Sequence, residues 1–143
     1  MKINHYEVHG FVKVGQMEKN AETGKKKHNV YVTYKDGFEP KGKIGVYILA
    51  TGQFVLKIGE SENLHNRFQC YESHSGPTNA QIRENMTERG IYDIWFIECP
   101  HYTVGFAGVF VNSGISYKQL EKKLLTQYKD HEGSVPIWNK GIQ

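Results

Sequence analysis

Two cationic side chains of this sequence lie where apolar residues are expected, and each could bind an anion. Lys57 stands between Leu56 and Ile58 in an otherwise apolar strand, so its ammonium group should reach either an anion or solvent at the sheet edge. Arg67 follows Leu64 by three residues on a segment patterned for burial. A guanidinium near a core face suits a bidentate contact with phosphate, and the alternative is a surface arginine.

A carboxylate in the last predicted helix has a similar conflict with its surroundings. At about 100° per residue, Glu121 falls within one arc of largely apolar residues. The members of that arc are Tyr117, Leu120, Leu124, Leu125 and Tyr128. A carboxylate on a core-facing stripe is costly unless a cation accompanies it. The partner could be an arginine, a lysine or a metal ion, and a simple salt bridge is the alternative.

The elements that position these groups begin with two apolar strands at residues 45–50 and 53–59, joined at Thr51-Gly52. Alternation places Tyr47 on the opposite face from its neighbours Val46 and Ile48, where a tyrosine is usually a core residue. A helix follows, with Ser61 as its expected N-cap. Its inward face is formed by Leu64, Phe68 and Tyr71.

Three further elements are predicted downstream. Residues 78–89 should form a helix capped by Thr78 or Asn79 and ended by Gly90, and residues 91–99 a core strand. Residues 100–115 are glycine-rich and are expected to form a loop. The last helix should begin at Ser116, which forms a capping-box pattern with Gln119, and should end at residue 128 or 129. An expected hydrophobic staple joins Ile115 and Leu120.

The first 43 residues differ from the rest in composition. Residues 5–15 and 28–35 have strand composition, and the polar stretch between them contains Lys25, Lys26 and Lys27. We therefore expect a basic β-hairpin extension over residues 1–43 and a second domain over residues 44–143. The expected fold class is α+β, with a small central sheet of about three core strands flanked by helices.

Charge and composition limit the function classes. The net charge is +3, with +4 on residues 1–43 and −1 on the remainder, so the basic third suggests a polyanion contact or a solvated arm. No segment predicts a signal peptide or a membrane span. Cys70 and Cys99 fit a reduced, cytoplasmic protein without metal-ligand spacing.

The joint spacing of these residues resembles the signature of the GIY-YIG nuclease superfamily. Gly45 and Tyr47 match its first motif, Ile58 and Gly59 its second, and Arg67 its helical arginine. Later matches are a metal-binding glutamate, Glu121, and an asparagine after an aromatic residue, Asn139. Lys57 stands where the second motif normally has tyrosine. The resemblance covers roughly residues 44–140 and is closest to the restriction-type and phage-type members.

The resemblance implies hydrolysis of a DNA phosphodiester with one divalent ion, Mg²⁺ or another such as Mn²⁺. Glu121 would bind the metal ion, Tyr47 would act as general base on the attacking water, and Lys57 would help that tyrosine lose its proton. Arg67 would bind the phosphate, and Asn139 would orient the site. Further candidates, which lie close to the site residues in the sequence, are His65, Tyr71 and His74.

Recognition of double-stranded DNA would come from other residues. The candidates are the basic tip at Lys25, Lys26 and Lys27, the loop at 100–115, and the helix that carries Thr78, Asn79, Gln81 and Arg83. Cutting both strands requires two sites, so a homo-oligomer is expected. The alternatives are a catalytically inactive nucleic-acid-binding module on the same fold and an unrelated α+β interaction domain.

Overall fold

The computed structural model describes residues 1–74, 76–99 and 116–139. Within them, four helices and five strands follow one another along the chain. In order these are α1 (Ile3–Glu7), β1 (Val12–Lys19), β2 (Val30–Tyr34), β3 (Gly45–Thr51), β4 (Phe54–Ser61), α2 (Leu64–Ser73), α3 (Pro77–Asn85), β5 (Ile91–Glu98) and α4 (Tyr117–Glu132), followed by a 3₁₀ turn at Ile137–Asn139.

The five strands form one antiparallel sheet in the order β2-β1-β5-β3-β4. The α+β class is confirmed, but the expectation of about three core strands is wrong. Both strands of the N-terminal hairpin join the sheet, because β1 pairs with β5 from Val12 opposite Phe96 to Glu18 opposite Ile91. The division into domains at residue 43 stays a prediction.

Helices cover both faces of the sheet. On one face, α2, α3 and the 3₁₀ turn enclose a core that includes Tyr47, Phe68, Tyr71 and Trp138. On the other, α1 and α4 pack over Val46, Ile48 and Ile58, among others. The predicted apolar stripe of α4 is confirmed for four residues that pack on this second core, namely Leu120, Leu124, Leu125 and Tyr128.

The N-terminal strand was predicted to begin too early. Residues 3–7 form α1 instead, since Ile3 and Tyr6 are then buried on one side of a helical turn. The chain reverses at Gly10, whose φ of +107° favours glycine, and β1 begins only at Val12. Strand propensity was overruled here by the burial of two side chains against the sheet.

Helix boundaries near the site also differ from the predictions. Ser61 ends β4, and Asn63 caps α2 by accepting a bond from the backbone N–H of Asn66. Helix α3 begins at Pro77 rather than Thr78, because proline is favoured in the first turn, and it ends at Asn85 rather than at residue 89.

The start of α4 is confirmed: Ser116 caps it and forms a capping box with Gln119. The helix runs on to Glu132, where Gly133 ends it in the left-handed conformation. The predicted staple at Ile115 and the predicted loop at 100–115 lie outside the described residues. No helix among the described residues has the length and apolarity to cross a membrane.

Candidate active site

Gly59 makes room for Tyr47, and Gly45 allows β3 to lie close to β5. In the β3–β4 pairing Tyr47 stands opposite Gly59, and its ring covers the space that a side chain at Gly59 would need. A Cβ at Gly59 would lie 2.7 Å from Tyr47 Cε1 and would overlap the hydroxyl group. At the start of β3, a Cβ at Gly45 would overlap the carbonyl oxygen of Ile97. Both motif glycines are therefore required by close packing.

The hydroxyl group of Tyr47 is the centre of a buried polar cluster. Arg67 Nε donates a hydrogen bond of 3.1 Å to it, and the hydroxyl of Tyr71 lies 2.9 Å away. The Arg67 guanidinium also lies over the Tyr71 ring, 5.4 Å from its centroid. Phe68 packs edge-on against both tyrosine rings and closes the cluster on the core side. The structure thus brings Tyr47, Arg67 and the candidate Tyr71 together.

The protonation of this cluster follows from burial. Burial raises the pKa of Tyr71 well above its usual value, and the neighbouring Tyr47 raises it further. The charge that Tyr47 would carry raises the pKa of Arg67, so the guanidinium stays cationic. Tyr71 is therefore held as a neutral phenol, which can donate its proton in the hydrogen bond to Tyr47.

Lys57 and Asn139 meet on the edge strand β4. Lys57 is buried and lies opposite Leu49, on the same face of the sheet as Tyr47. Asn139 lies beside it, where its Oδ1 accepts from the backbone N–H of Ile58 at 2.8 Å and its Nδ2 donates to the carbonyl of Ile58 at 2.8 Å. The asparagine amide therefore takes the place of a sixth strand at one point of the free edge.

Glu121 reaches β4 from α4, on the other side of the sheet. It is half-buried, and burial followed by the nearby Glu60 carboxylate raises its pKa. The positive charges of Lys57 and Arg67, and a hydrogen bond from the backbone of Glu60, act in the opposite direction. The charges of Glu60, Lys57 and Arg67 therefore all act on Glu121, although Arg67 on α2 and Glu121 on α4 belong to helices on opposite faces of the sheet.

Glu60 is a site residue that the sequence reasoning missed. It follows Gly59 directly, pairs with Val46, and is only partly exposed. Its Oε2 atom is buried without a hydrogen-bond partner among the described residues. The available sequence signal was its position directly after Ile58 and Gly59 of the second motif.

A groove of about 500 Å³ opens beside this cluster. It is lined by residues from the end of β4, from α2 and from the start of α4, including Glu60, Arg67 and Tyr117. Tyr117 closes one side of it with a hydrogen bond of 2.9 Å from its hydroxyl to Glu62. A substrate group that enters this groove meets the guanidinium and the Glu60 carboxylate together.

The predicted DNA-binding lysines lie in the loop between β1 and β2. Lys25, Lys26 and Lys27 are exposed, and the backbone N–H groups of the first two donate to the Tyr31 hydroxyl at 2.9 and 3.2 Å. The Lys26 ammonium group lies 3.4 Å from Glu72 on α2. The loop is therefore held against the end of α2.

The other predicted DNA contacts lie on α3. Thr78 is exposed, and Asn79 and Gln81 are partly exposed. Arg83 is different, because it is buried and donates through Nη1 to the carbonyls of Tyr71 at 3.1 Å and Cys70 at 3.4 Å. Its guanidinium is used inside the protein, so this placement does not favour a DNA contact.

The two histidine candidates lie outside the central cluster. His74 is exposed, and its Nδ1 lies 3.2 Å from the Ser73 hydroxyl. His65 is partly exposed, and its backbone N–H donates to the carbonyl of Pro40. Neither imidazole shares a hydrogen bond with Tyr47 or Arg67 among the described residues.

The side chains present suit a hard divalent cation with few protein ligands. No group of three His, Cys, Asp or Glu side chains in the described residues could hold a metal ion. Glu121 and Glu60 supply two carboxylates, one of them with the unpartnered buried oxygen. Mg²⁺ is typically held by one or two carboxylates together with substrate phosphate oxygens and waters, so this pair fits it.

Comparison with known proteins gives one informative similarity. No protein-family model and no curated protein sequence matches the chain. Its structure is similar to that of restriction endonuclease HPY188I in complex with product DNA, with a TM-score of 0.58 and 18% sequence identity over 96% of this chain and 84% of that one. This likeness shows that the chain has the fold of a known nuclease.

Proposed function

We propose that this protein is a metal-dependent DNA endonuclease of the GIY-YIG type. The observation that supports this most is the hydrogen bond from Arg67 to the hydroxyl of Tyr47, made beside the groove that Arg67 and Glu60 line. The fold shared with a DNA-bound restriction endonuclease agrees with it. The substrate is double-stranded DNA, and the reaction is hydrolysis of a phosphodiester bond.

Arg67 joins the proposed base to the substrate. It uses Nε for Tyr47, which leaves its terminal nitrogens available to a phosphate in the groove that it lines. A guanidinium in this position orients the phosphate and stabilises the charge that develops as water attacks. The same side chain thus fixes the distance between the scissile phosphate and Tyr47.

The proton of the attacking water passes to Tyr47 in this proposal. The bond from the water oxygen to phosphorus forms while the bond to the 3′ oxygen breaks. A Tyr47 phenolate is the acceptor, stabilised by the Arg67 cation and by a hydrogen bond from neutral Tyr71. Lys57, buried on the same face of the sheet, would add positive charge on this side of β4.

Glu121 and Glu60 would hold the divalent ion beside the groove that Glu60 lines. When bound, such an ion neutralises the phosphate and stabilises the leaving oxygen. Asn139 keeps β4 in register, so that Lys57 and Glu60, on either side of Ile58 and Gly59, keep their positions. Its role is to position the site.

Several finer assignments belong to this proposal. DNA backbone contacts come from Lys25 and Lys27 and from the loop at residues 100–115, while Thr78, Asn79 and Gln81 on the polar side of α3 stay candidates for base contacts. Both strands are cut by a homo-oligomer, in a restriction-type or a phage-type reaction. Both cysteines are free, which agrees with a cytoplasmic enzyme.

One observation favours a second candidate, a catalytically inactive DNA-binding module on the same fold. The Tyr47 side chain is fully buried, with an exposed fraction of 0%. A general base must meet a water molecule, so catalysis requires the groove to open at Tyr47 when DNA binds. An inactive module needs no such opening.

The deciding experiment incubates the purified protein with supercoiled plasmid in Mg²⁺, in Mn²⁺ and in EDTA, beside Glu121→Gln. Asp130→Asn is the matched control, because Asp130 is an exposed carboxylate on the same helix as Glu121. Cleavage that needs the metal ion and Glu121, and that survives in the control, supports the nuclease. Retained DNA binding without cleavage in every metal ion would support the inactive module.

A further inference from the structure

The solvent-facing side of α2 carries a row of uncharged polar side chains. Asn66, Gln69 and Ser73 are all exposed, and at 3.6 residues per turn they lie within about 60° of one another. They point away from the buried face of the same helix, formed by Leu64, Phe68 and Tyr71. No acidic residue belongs to this row.

The two amide side chains of the row are available for recognition. Within the described part of the chain, neither the Asn66 nor the Gln69 side chain takes part in a hydrogen bond, whereas the Ser73 hydroxyl donates to the Gln69 carbonyl at 2.9 Å. Asparagine and glutamine amides form paired hydrogen bonds with adenine in the major groove, because adenine presents one donor and one acceptor there.

Cationic groups lie on both flanks of the row. Each residue advances about 100° around a helix, which places Arg67 on one side of the row and Glu72 on the other. Arg67 faces the candidate active site through its bond to Tyr47. Glu72 holds the Lys26 ammonium group at 3.4 Å and so brings the basic loop to the opposite flank.

Further contacts fix the basic loop at that flank. Glu72 also accepts from the backbone N–H of Val32 at 2.9 Å, which ties α2 to the edge strand β2. The Tyr31 hydroxyl binds the backbone of Lys25 and Lys26, and the ammonium groups of Lys25 and Lys27 make no ion pair within the described residues. A polar helix is thus flanked by Arg67, which the proposed function assigns to phosphate binding, and by two lysines without an ion pair in the described residues.

From this arrangement we infer that α2 enters the major groove of the substrate DNA and that Asn66 and Gln69 read base edges there. An α-helix with its side chains is about 10–12 Å across, and the major groove of B-DNA is about 12 Å wide. Arg67 then meets a phosphate of the strand that is cut, and Lys25 and Lys27 meet phosphates of the opposite strand. The inference rests on the proposed function for its DNA substrate.

The test is selection of bound duplexes from a random-sequence library by the full-length chain. Glu121→Gln serves as the parent so that bound DNA stays intact. The parent is compared with a second protein that also carries Asn66→Ala and Gln69→Ala, and with a third that carries Gln81→Ala on α3, the competing recognition helix. Gln127→Ala, an exposed amide on α4, is the control.

We expect the parent to select a sequence, and the α2 variant to lose the preference at one or more positions by roughly tenfold or more. The α3 and α4 variants should select the same sequence as the parent. The preferred purines can be replaced by their 7-deaza analogues, which lack the N7 acceptor of the major groove. This replacement should weaken DNA binding by the parent but not by the α2 variant.

Two results would overturn the inference: a parent without any sequence preference, or a preference lost with Gln81→Ala and kept in the α2 variant. A sequence-selective parent whose wild-type form never cleaves DNA would instead refute the nuclease while leaving the role of α2 intact. The two proposals therefore fail in distinguishable ways.

Discussion

The ring of Tyr47 lies over the Cα atom of Gly59, directly across the pairing of β3 and β4. The tyrosine can be fully buried there and still direct its hydroxyl to Arg67, because position 59 has no side chain. The two motif residues are therefore one structural unit, although twelve positions separate them in the sequence.

Gly59→Ala should abolish cleavage by displacing Tyr47. The added methyl group must push the ring away from Arg67, and overpacking of this kind costs about 1–3 kcal/mol of folding stability. We expect at least a hundredfold loss of plasmid cleavage, with the loss of stability measured by urea denaturation. Gly76→Ala is the control, because its nearest contact would be an ordinary 3.6 Å. Wild-type cleavage by Gly59→Ala would contradict the assigned position of the base.

Glu121→Gln should remove cleavage and stabilise the metal-free protein at neutral pH. Burial and Glu60 raise the pKa of Glu121, so its ionised form costs folding free energy above that raised pKa. Glutamine has no charge to bury. In EDTA at pH 7 the melting temperature of the variant should exceed that of the wild type.

The sign of this effect fixes its pH dependence. As the pH falls through the raised pKa, Glu121 takes up a proton in the native state, so the difference between variant and wild type should shrink, and it should vanish below the usual pKa of a glutamate in the unfolded chain. The measurement is thermal unfolding across pH 4–8. A variant that is less stable than the wild type at pH 7 would mean that the carboxylate of Glu121 is paired rather than strained.

Asn139→Ala should destabilise the free edge of the sheet. The amide of Asn139 makes two hydrogen bonds with the backbone of Ile58, and their loss should cost about 2 kcal/mol of unfolding free energy. Asn139→Asp keeps an acceptor for the N–H group of Ile58, but it places an oxygen next to the carbonyl oxygen of Ile58. This variant should therefore be no more stable than the alanine variant. Asn85→Ala, whose amide bonds only within its own helix, is the control. An aspartate variant as stable as the wild type would exclude the two-bond arrangement.

Much of the site was predictable because its spacing depends on local structure. A strand pair with a tight turn sets Tyr47 against Gly59, and a helix that follows at once carries Arg67 back over them. The capping box at Ser116 was equally local. Such features depend on residues at most 20 positions apart, within one strand pair and the helix that follows it, whose geometry is fixed by helix and strand repeats.

What the sequence could not predict depends on distant contacts. Glu60 has the composition of a solvent-facing strand residue, and only the packing of α4 shows that one of its oxygens is buried. The target of Asn139 lies 81 positions earlier. Residues 5–7 belong to a stretch predicted to be a strand, yet they form part of a helical turn that buries Ile3 and Tyr6.

Replacing Lys25, Lys26 and Lys27 together by alanine should weaken DNA binding and flatten its salt dependence. Each phosphate contact contributes roughly 0.9 to the slope of log K against log salt, and Lys26 is engaged with Glu72, so the slope should fall by about two. The measurement is fluorescence anisotropy with a duplex at several salt concentrations. Replacing the exposed Lys122, Lys123 and Lys129 of α4 removes the same charge and is the control. An unchanged slope would mean that the lysines of this loop are solvated and do not contact phosphate.

Arg83→Ala should lower stability without changing how the folded protein binds DNA. The buried guanidinium donates to the carbonyls of Cys70 and Tyr71 near the end of α2, and a charge-assisted contact of this kind contributes about 3 kcal/mol. Arg83→Lys keeps the charge but not the fork of donors, so it should recover only part of the loss. Urea unfolding gives the stability, and anisotropy below the unfolding transition gives the affinity. If the alanine variant were as stable as the wild type and its salt slope fell by about one, Arg83 would contact a phosphate and its internal role would be wrong.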